Sequence, residues 1–114
     1  GALKAEAGQL SHAIDALRQA PNDAKAPALE QLRTLACTEA DTCSVQSSCV
    51  AAYELHLRAL TSIDQSKHLV AVGDGGADLP ALLGEAQQLL QRAKVLTQKC
   101  ADAQGALVRH FNLR

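Results

Sequence analysis

Leu82, Leu89, Leu96, Ala103 and His110 recur every seven residues toward the end of this chain, interleaved with Ala86, Ala93, Cys100 and Leu107. An apolar repeat of that period forms one face of a helix that packs along its length on other helices. The interleaved columns are the alternating core positions of an antiparallel bundle, and the small residues let backbones approach. Asp78 before Leu79 and Pro80 reads as the N-terminal capping sequence of this helix.

The preceding segments carry the same kind of pattern. From Ser44 to Val72 no Gly or Pro intervenes, which predicts a second long helix with Cys49, Ala52, Tyr53, His56, Leu60, Ile63 and Val70 on one side. Gly73, Asp74, Gly75 and Gly76 break it. Near the start, Leu3, Ala7, Leu10, Ile14 and Leu17 step by three and four along a first helix that Pro21, Asn22 and Asp23 end. Pro27 suits the first turn of a shorter helix in which Leu29, Leu32 and Leu35 or Ala36 share a face, ending near Cys37. Thr38 to Ser44 reads as a connection.

The expected fold is therefore all-α: one domain over residues 1–114, an antiparallel up-down-up helical bundle with its first arm broken at Pro21–Pro27 and two long C-terminal helices. The two short helices, taken end to end, match each long one in length. With aromatics at only 2% of the chain, Leu, Ala, Val and Ile must build the core, and that favours slim, closely packed helices over a sheet sandwich.

Four cysteines fit this layout. Folding the two long helices about a turn near Gly76 puts Cys49 and Cys100 at nearly equal height on their apolar faces, within reach of a disulfide. Cys37 and Cys43 flank the short connection and would staple it. The alternative of Cys43 with Cys49 and Cys37 with Cys100 sets an i to i+6 pair inside or entering a helix, where the two point to different faces; Cys37 with Cys49 and Cys43 with Cys100 requires the third helix to start late. Zinc is disfavoured because five residues separate each of the first three cysteines, where structural zinc sites use two to four. There is no Cys-x-x-Cys for redox catalysis. Disulfides imply an oxidising compartment, and the expected location is extracytoplasmic, periplasmic or secreted.

Other residues are candidates for chemistry. His56 lies on the apolar face one turn from Tyr53, and the two are expected to form a buried polar pair. His12, His68 and Glu85 could form a metal triad if the first helix runs antiparallel to the third, although solvent-facing side chains are the default. Asp74, Gly75, Gly76 and Asp78 lack the ligand succession and terminal Glu of a calcium loop and read as a turn. No placement cue raises a Ser-His-Asp hydrolase above chance. Leu-Thr-x-x-Gln motifs of small periplasmic helical chaperones and metal-stress sensors are not met either: Gln65 follows Leu60-Thr61 one position too late and Gln98 follows Leu96-Thr97 too early.

Eleven basic against twelve acidic side chains, with no basic block to neutralise a run of phosphates, argue against nucleic acid as a partner. No apolar run reaches the ~20 residues that cross a bilayer. The chain contains no Met, so Gly1 reads as a processed or engineered end with room for a signal or anchor upstream. The Ala-, Leu- and Arg-rich usage has a bacterial look. The functional expectation is a non-enzymatic, extracytoplasmic helical domain without a cofactor that binds another protein, for example as the soluble part of an envelope-anchored or secreted protein. The alternative is a periplasmic metal or small-ligand sensor or carrier that uses histidines between helices.

Overall fold

The computed structural model describes residues 1–73, 76 and 78–114. Among them are four α-helices: α1 (Ala2–Gln19), α2 (Lys25–Thr34), α3 (Ala40–Ala71) and α4 (Asp78–Phe111), with a single 3-10 turn at Asn22–Ala24. The molecule is a rod of 58 × 22 × 21 Å. Its length is that of the α3–α4 hairpin, since 34 helical residues rise about 51 Å.

The break expected at Pro21–Pro27 is present, and it reverses the chain. Ala20 and Pro21 are extended, and the 3-10 turn then leads into α2. Past the end of α2, Thr38 comes back to Glu6 near the start of α1, donating its backbone N–H and its hydroxyl to the two carboxylate oxygens at 2.5 and 2.8 Å. Two helices laid end to end would hold these residues about 40 Å apart. Instead α1 and α2 lie side by side, a short hairpin seated on the lower half of a long one. The driving force is burial: Ala7, Leu10, Ile14 and Leu17 of α1 join Leu29 and Leu32 of α2 in one core with Val45, Cys49, Ala52, Tyr53, Cys100 and Leu107.

Two helix boundaries differ from the sequence reading. α2 stops at Thr34, and α3 begins at Ala40 rather than near Ser44. The earlier start has a local cause: the Glu39 carboxylate accepts the N–H of Thr42 at 2.8 Å and caps the first turn. The backbone N–H groups of Thr42 and then Asp41 hold that carboxyl below its ordinary pKa. Cys43 therefore sits in the first turn of α3, not in the connection. At the other end α3 closes with Gly73 in the left-handed region (φ 70°) and its N–H on the Val70 carbonyl. Asp78 lies in the first turn of α4 rather than ahead of it. Asp74 and Gly75, part of the expected turn, lie outside the described residues.

Both disulfides pair as the helical register requires. Cys49–Cys100 joins α3 to α4 with S–S 2.06 Å and Cα–Cα 4.8 Å, wholly buried in the core. Cys37–Cys43 ties the α2–α3 connection to the first turn of α3, Cα–Cα 5.5 Å, and is half-buried. No helix among the described residues is long and apolar enough to cross a membrane.

Candidate functional site

The short α1–α2 hairpin does not reach the end of the long one. Lys25, at the turn between α1 and α2, stands 5.9 Å from the Tyr53 ring, and Leu29 of α2 meets the groove lined by Leu57 and Leu89. Beyond that level α3 and α4 continue for about 20 Å as an uncovered two-helix arm. The Cys49–Cys100 bridge sets its register: residues of α3 and α4 whose numbers sum to 149, as those two do, lie at the same height.

Small side chains form the seam of the arm. Ala52, Ala59 and Ser66 of α3 recur every seven residues and are buried, as are Ala86, Ala93 and Cys100 of α4. In the common register the two columns alternate every three or four residues. Ser66 satisfies its buried hydroxyl on the Ser62 carbonyl at 2.9 Å. Because so little volume fills the seam, the larger apolar residues are displaced to its flanks. Leu60, Ile63, Leu69, Leu82 and Leu89 are only half-buried. Val70, Leu83 and Leu90 remain 59%, 49% and 38% exposed.

That distribution corrects the expected faces. Leu60, Ile63 and Val70 share a side with Cys49 and Ala52 by count, yet none of the three is buried. The reason is coverage: α1 closes this side of α3 only as far as Tyr53. Leu3, expected on the core face of α1, is likewise exposed, and His110 lies on the surface with its ring edge-on to Phe111 at 4.8 Å.

His56 marks the junction between covered base and open arm. Its side chain lines a groove with Gln87, Leu90, Gln91, Lys94 and Thr97. Tyr53 is buried beside it, but the rings meet edge-on with centroids 5.9 Å apart, so the expected hydroxyl partner is replaced by an aromatic contact. The His56 Nε2 atom is shielded from solvent with no hydrogen-bond partner among the described residues. Burial, then the charge of Lys25, lowers the His56 pKa below its ordinary value.

The other sequence candidates stay apart. His12, His68 and Glu85 are all exposed. Ser11, the neighbour of His12, sits at the height of Gln104 in the base, whereas His68 is far along the arm. Among the described residues no three His, Cys, Asp or Glu side chains are grouped to hold a metal ion. α1 does run antiparallel to α4 and parallel to α3, opposite to the alignment that the triad needed.

Two polar clusters that pattern counting does not anticipate hold the base. Lys25, only 7% exposed, donates to the carbonyls of Leu17 and Arg18 at 3.0 Å each and so caps the C-terminus of α1. Desolvation lowers its pKa. Gln104, inside the bundle, bridges α4 to α1, and the charged residues Asp15, Arg18 and Arg114 surround it. Lys25 lies at the level where the base gives way to the arm, and Gln104 fixes α1 against α4 lower in the base.

Fold and surface together define a disulfide-braced, all-α hairpin bundle with a projecting two-helix arm. Comparison with protein-family models, with curated proteins and with solved structures finds no match.

Proposed function

We propose that this is a non-enzymatic, extracytoplasmic interaction domain, and that the α3–α4 arm is its binding surface for another protein. The observation that carries this reading is the run of large apolar side chains on the uncovered arm, with Leu83 and Leu90 on α4 and Val70 on α3 open to solvent. Clustered apolar exposure on a rigid element is the usual mark of a protein contact surface. The two disulfides support an oxidising compartment, and hence a periplasmic or secreted protein or the soluble part of an envelope-anchored one. A bacterial source fits the composition.

Photo-crosslinking residues placed singly at Leu83, Leu90 and the control position His12 in producing cells test the reading. Protein adducts from the two arm positions and none from His12 are the expected result. Absence of adducts at the arm, or equal yields at all three positions, overturns it.

A further inference from the structure

Among the described residues two buried side-chain polar atoms have no hydrogen-bond partner, Thr42 Oγ1 and His56 Nε2. Only the second belongs to a group that titrates near neutral pH. A neutral imidazole tolerates such a place by carrying its one proton on Nδ1 and leaving Nε2 bare. Protonation puts an N–H on both nitrogens. The one on Nε2 is then part of a cation, shielded from water and facing no acceptor.

The charged groups around the ring oppose that cation. Lys25, buried at the start of α2, shares Tyr53 with it: the ammonium stands 5.9 Å from the Tyr53 ring centroid, and so does the centroid of the His56 ring. α4 faces His56 with Lys94 and with the uncharged Gln87, Gln91 and Thr97. The end of α1 presents main chain: Lys25 takes the Leu17 and Arg18 carbonyls, while the Asp15 and Arg18 side chains are engaged with Gln104 lower in the base. On α3 itself Glu54 is paired with Arg33. Asp23 in the 3-10 turn is exposed and makes no ion pair among the described residues. A proton on His56 therefore meets ammonium groups on two elements and no free carboxylate.

We propose that His56 is a proton latch at the junction of base and arm: taking up one proton turns its ring out of the Tyr53 contact into the α4 groove and frees the α1–α2 turn, residues 20–25, from α3. In the groove the ring meets solvent, the amide oxygens of Gln87 and Gln91 and the Thr97 hydroxyl, all of which accept an N–H. Lys25 is the residue of the turn that rests on Tyr53, so when the ring pair parts the turn loses that contact. The lower base stays closed, because Gln104 holds Ser11, Glu6 holds Thr38 and Cys49–Cys100 joins α3 to α4. Opening is therefore local. It extends the uncovered face of the arm down to the level of Tyr53, which makes that face longer in acid than at neutral pH.

Amide hydrogen exchange of the oxidised protein from about pH 8 to about pH 5, corrected for the intrinsic pH dependence of exchange, tests the latch. Opening takes up one proton. Between the ordinary histidine value of about 6.5 and the lower folded value, the opening constant of residues 20–25 should therefore rise by up to tenfold per pH unit as pH falls. These amides should also exchange at least about tenfold faster than those flanking Cys49, which report unfolding of the whole base. His56→Gln should abolish the slope at the turn at unchanged helicity, and His56→Phe, which keeps an aromatic ring beside Tyr53, should do the same. Replacing His12, His68 and His110 together by Gln should leave it in place. Three results overturn the proposal: no slope at the turn, exchange there no faster than beside Cys49, or a slope that survives both His56 variants. A slope lost with the other three histidines overturns it as well.

Discussion

Gln104 and Ser11 meet twice across the interface of α4 and α1: one amide nitrogen lies 3.1 Å from the Ser11 carbonyl oxygen and 3.1 Å from its hydroxyl oxygen. The same nitrogen is 2.9 Å from Asp15 Oδ1, while Gln104 Oε1 accepts Arg18 Nη2 at 2.6 Å. A buried amide serving this many partners is a register pin, because a slip of α1 by one turn breaks all of them together. Gln104→Ala should destabilise the oxidised protein by about 2 kcal/mol, the combined effect of lost hydrogen bonds and a small cavity. Urea unfolding followed by circular dichroism measures it, and a change within error would contradict the pin.

Lys25→Met keeps most of the side-chain volume and removes the cap on α1. We expect a loss of about 1–2 kcal/mol, from two charged hydrogen bonds offset by relief of a buried ammonium. The same variant should raise the His56 pKa, since the Lys25 charge helps to depress it. Titration of the His56 ring by NMR in both proteins reads this directly.

The two disulfides should be reduced in order. Cys37–Cys43 is half-buried, and Cys49–Cys100 has no exposed surface. Thiol exchange needs access to a sulfur, so mild reductant should open the first bridge while the second survives until the base unfolds. Alkylation and mass spectrometry resolve the two. Removing each bridge by a pair of Ala substitutions should cost about 4 kcal/mol for Cys49–Cys100 and about 2 kcal/mol for Cys37–Cys43, following the lengths of the loops closed. Equal losses would show that native contacts, not loop closure, set the effect.

Stability should also fall as pH drops through the ordinary histidine range. The folded-state pKa of His56 is lowered, so between that value and about 6.5 the unfolded chain binds more protons. The contribution is fully present above this window and is lost within it. His56→Gln should flatten that part of the stability profile. Glu6 and Glu39, whose folded pKa values are also lowered, act in a separate and more acidic window: their contribution is present above the ordinary carboxylate value and lost as pH falls from there through the lowered folded values.

Much of this architecture is legible in the sequence because helical periodicity and thiol spacing are local quantities. Leu10, Ile14 and Leu17 occupy the core as their steps of three and four require, and equal heights for Cys49 and Cys100 follow from counting residues to the turn. What counting cannot supply is how far a partner extends. Val70 belongs to the apolar side of α3 yet lies beyond the reach of a covering helix, and His110 belongs to the repeat of α4 yet is exposed while Leu107 and Phe111 beside it pack on the core. The reversal at Pro21–Pro27 was hidden for a related reason: a break shows where a helix ends but not where the chain turns next, and the Glu6–Thr38 contact that reports it spans 32 positions. One further signal was available. The spacing Ala52, Ala59, Ser66 matches the repeat of Ala86 and Ala93 and identifies the narrow seam that leaves the leucines outside.

The position of the Cys49–Cys100 bridge has a topological result. The chain between these residues, which includes the whole arm, is a covalent ring closed inside the buried base. One hydrolytic cut anywhere in that ring adds a single water and releases no fragment. A protein nicked within the arm therefore loses no residue and keeps its base and both halves of its arm until the buried sulfurs are reduced.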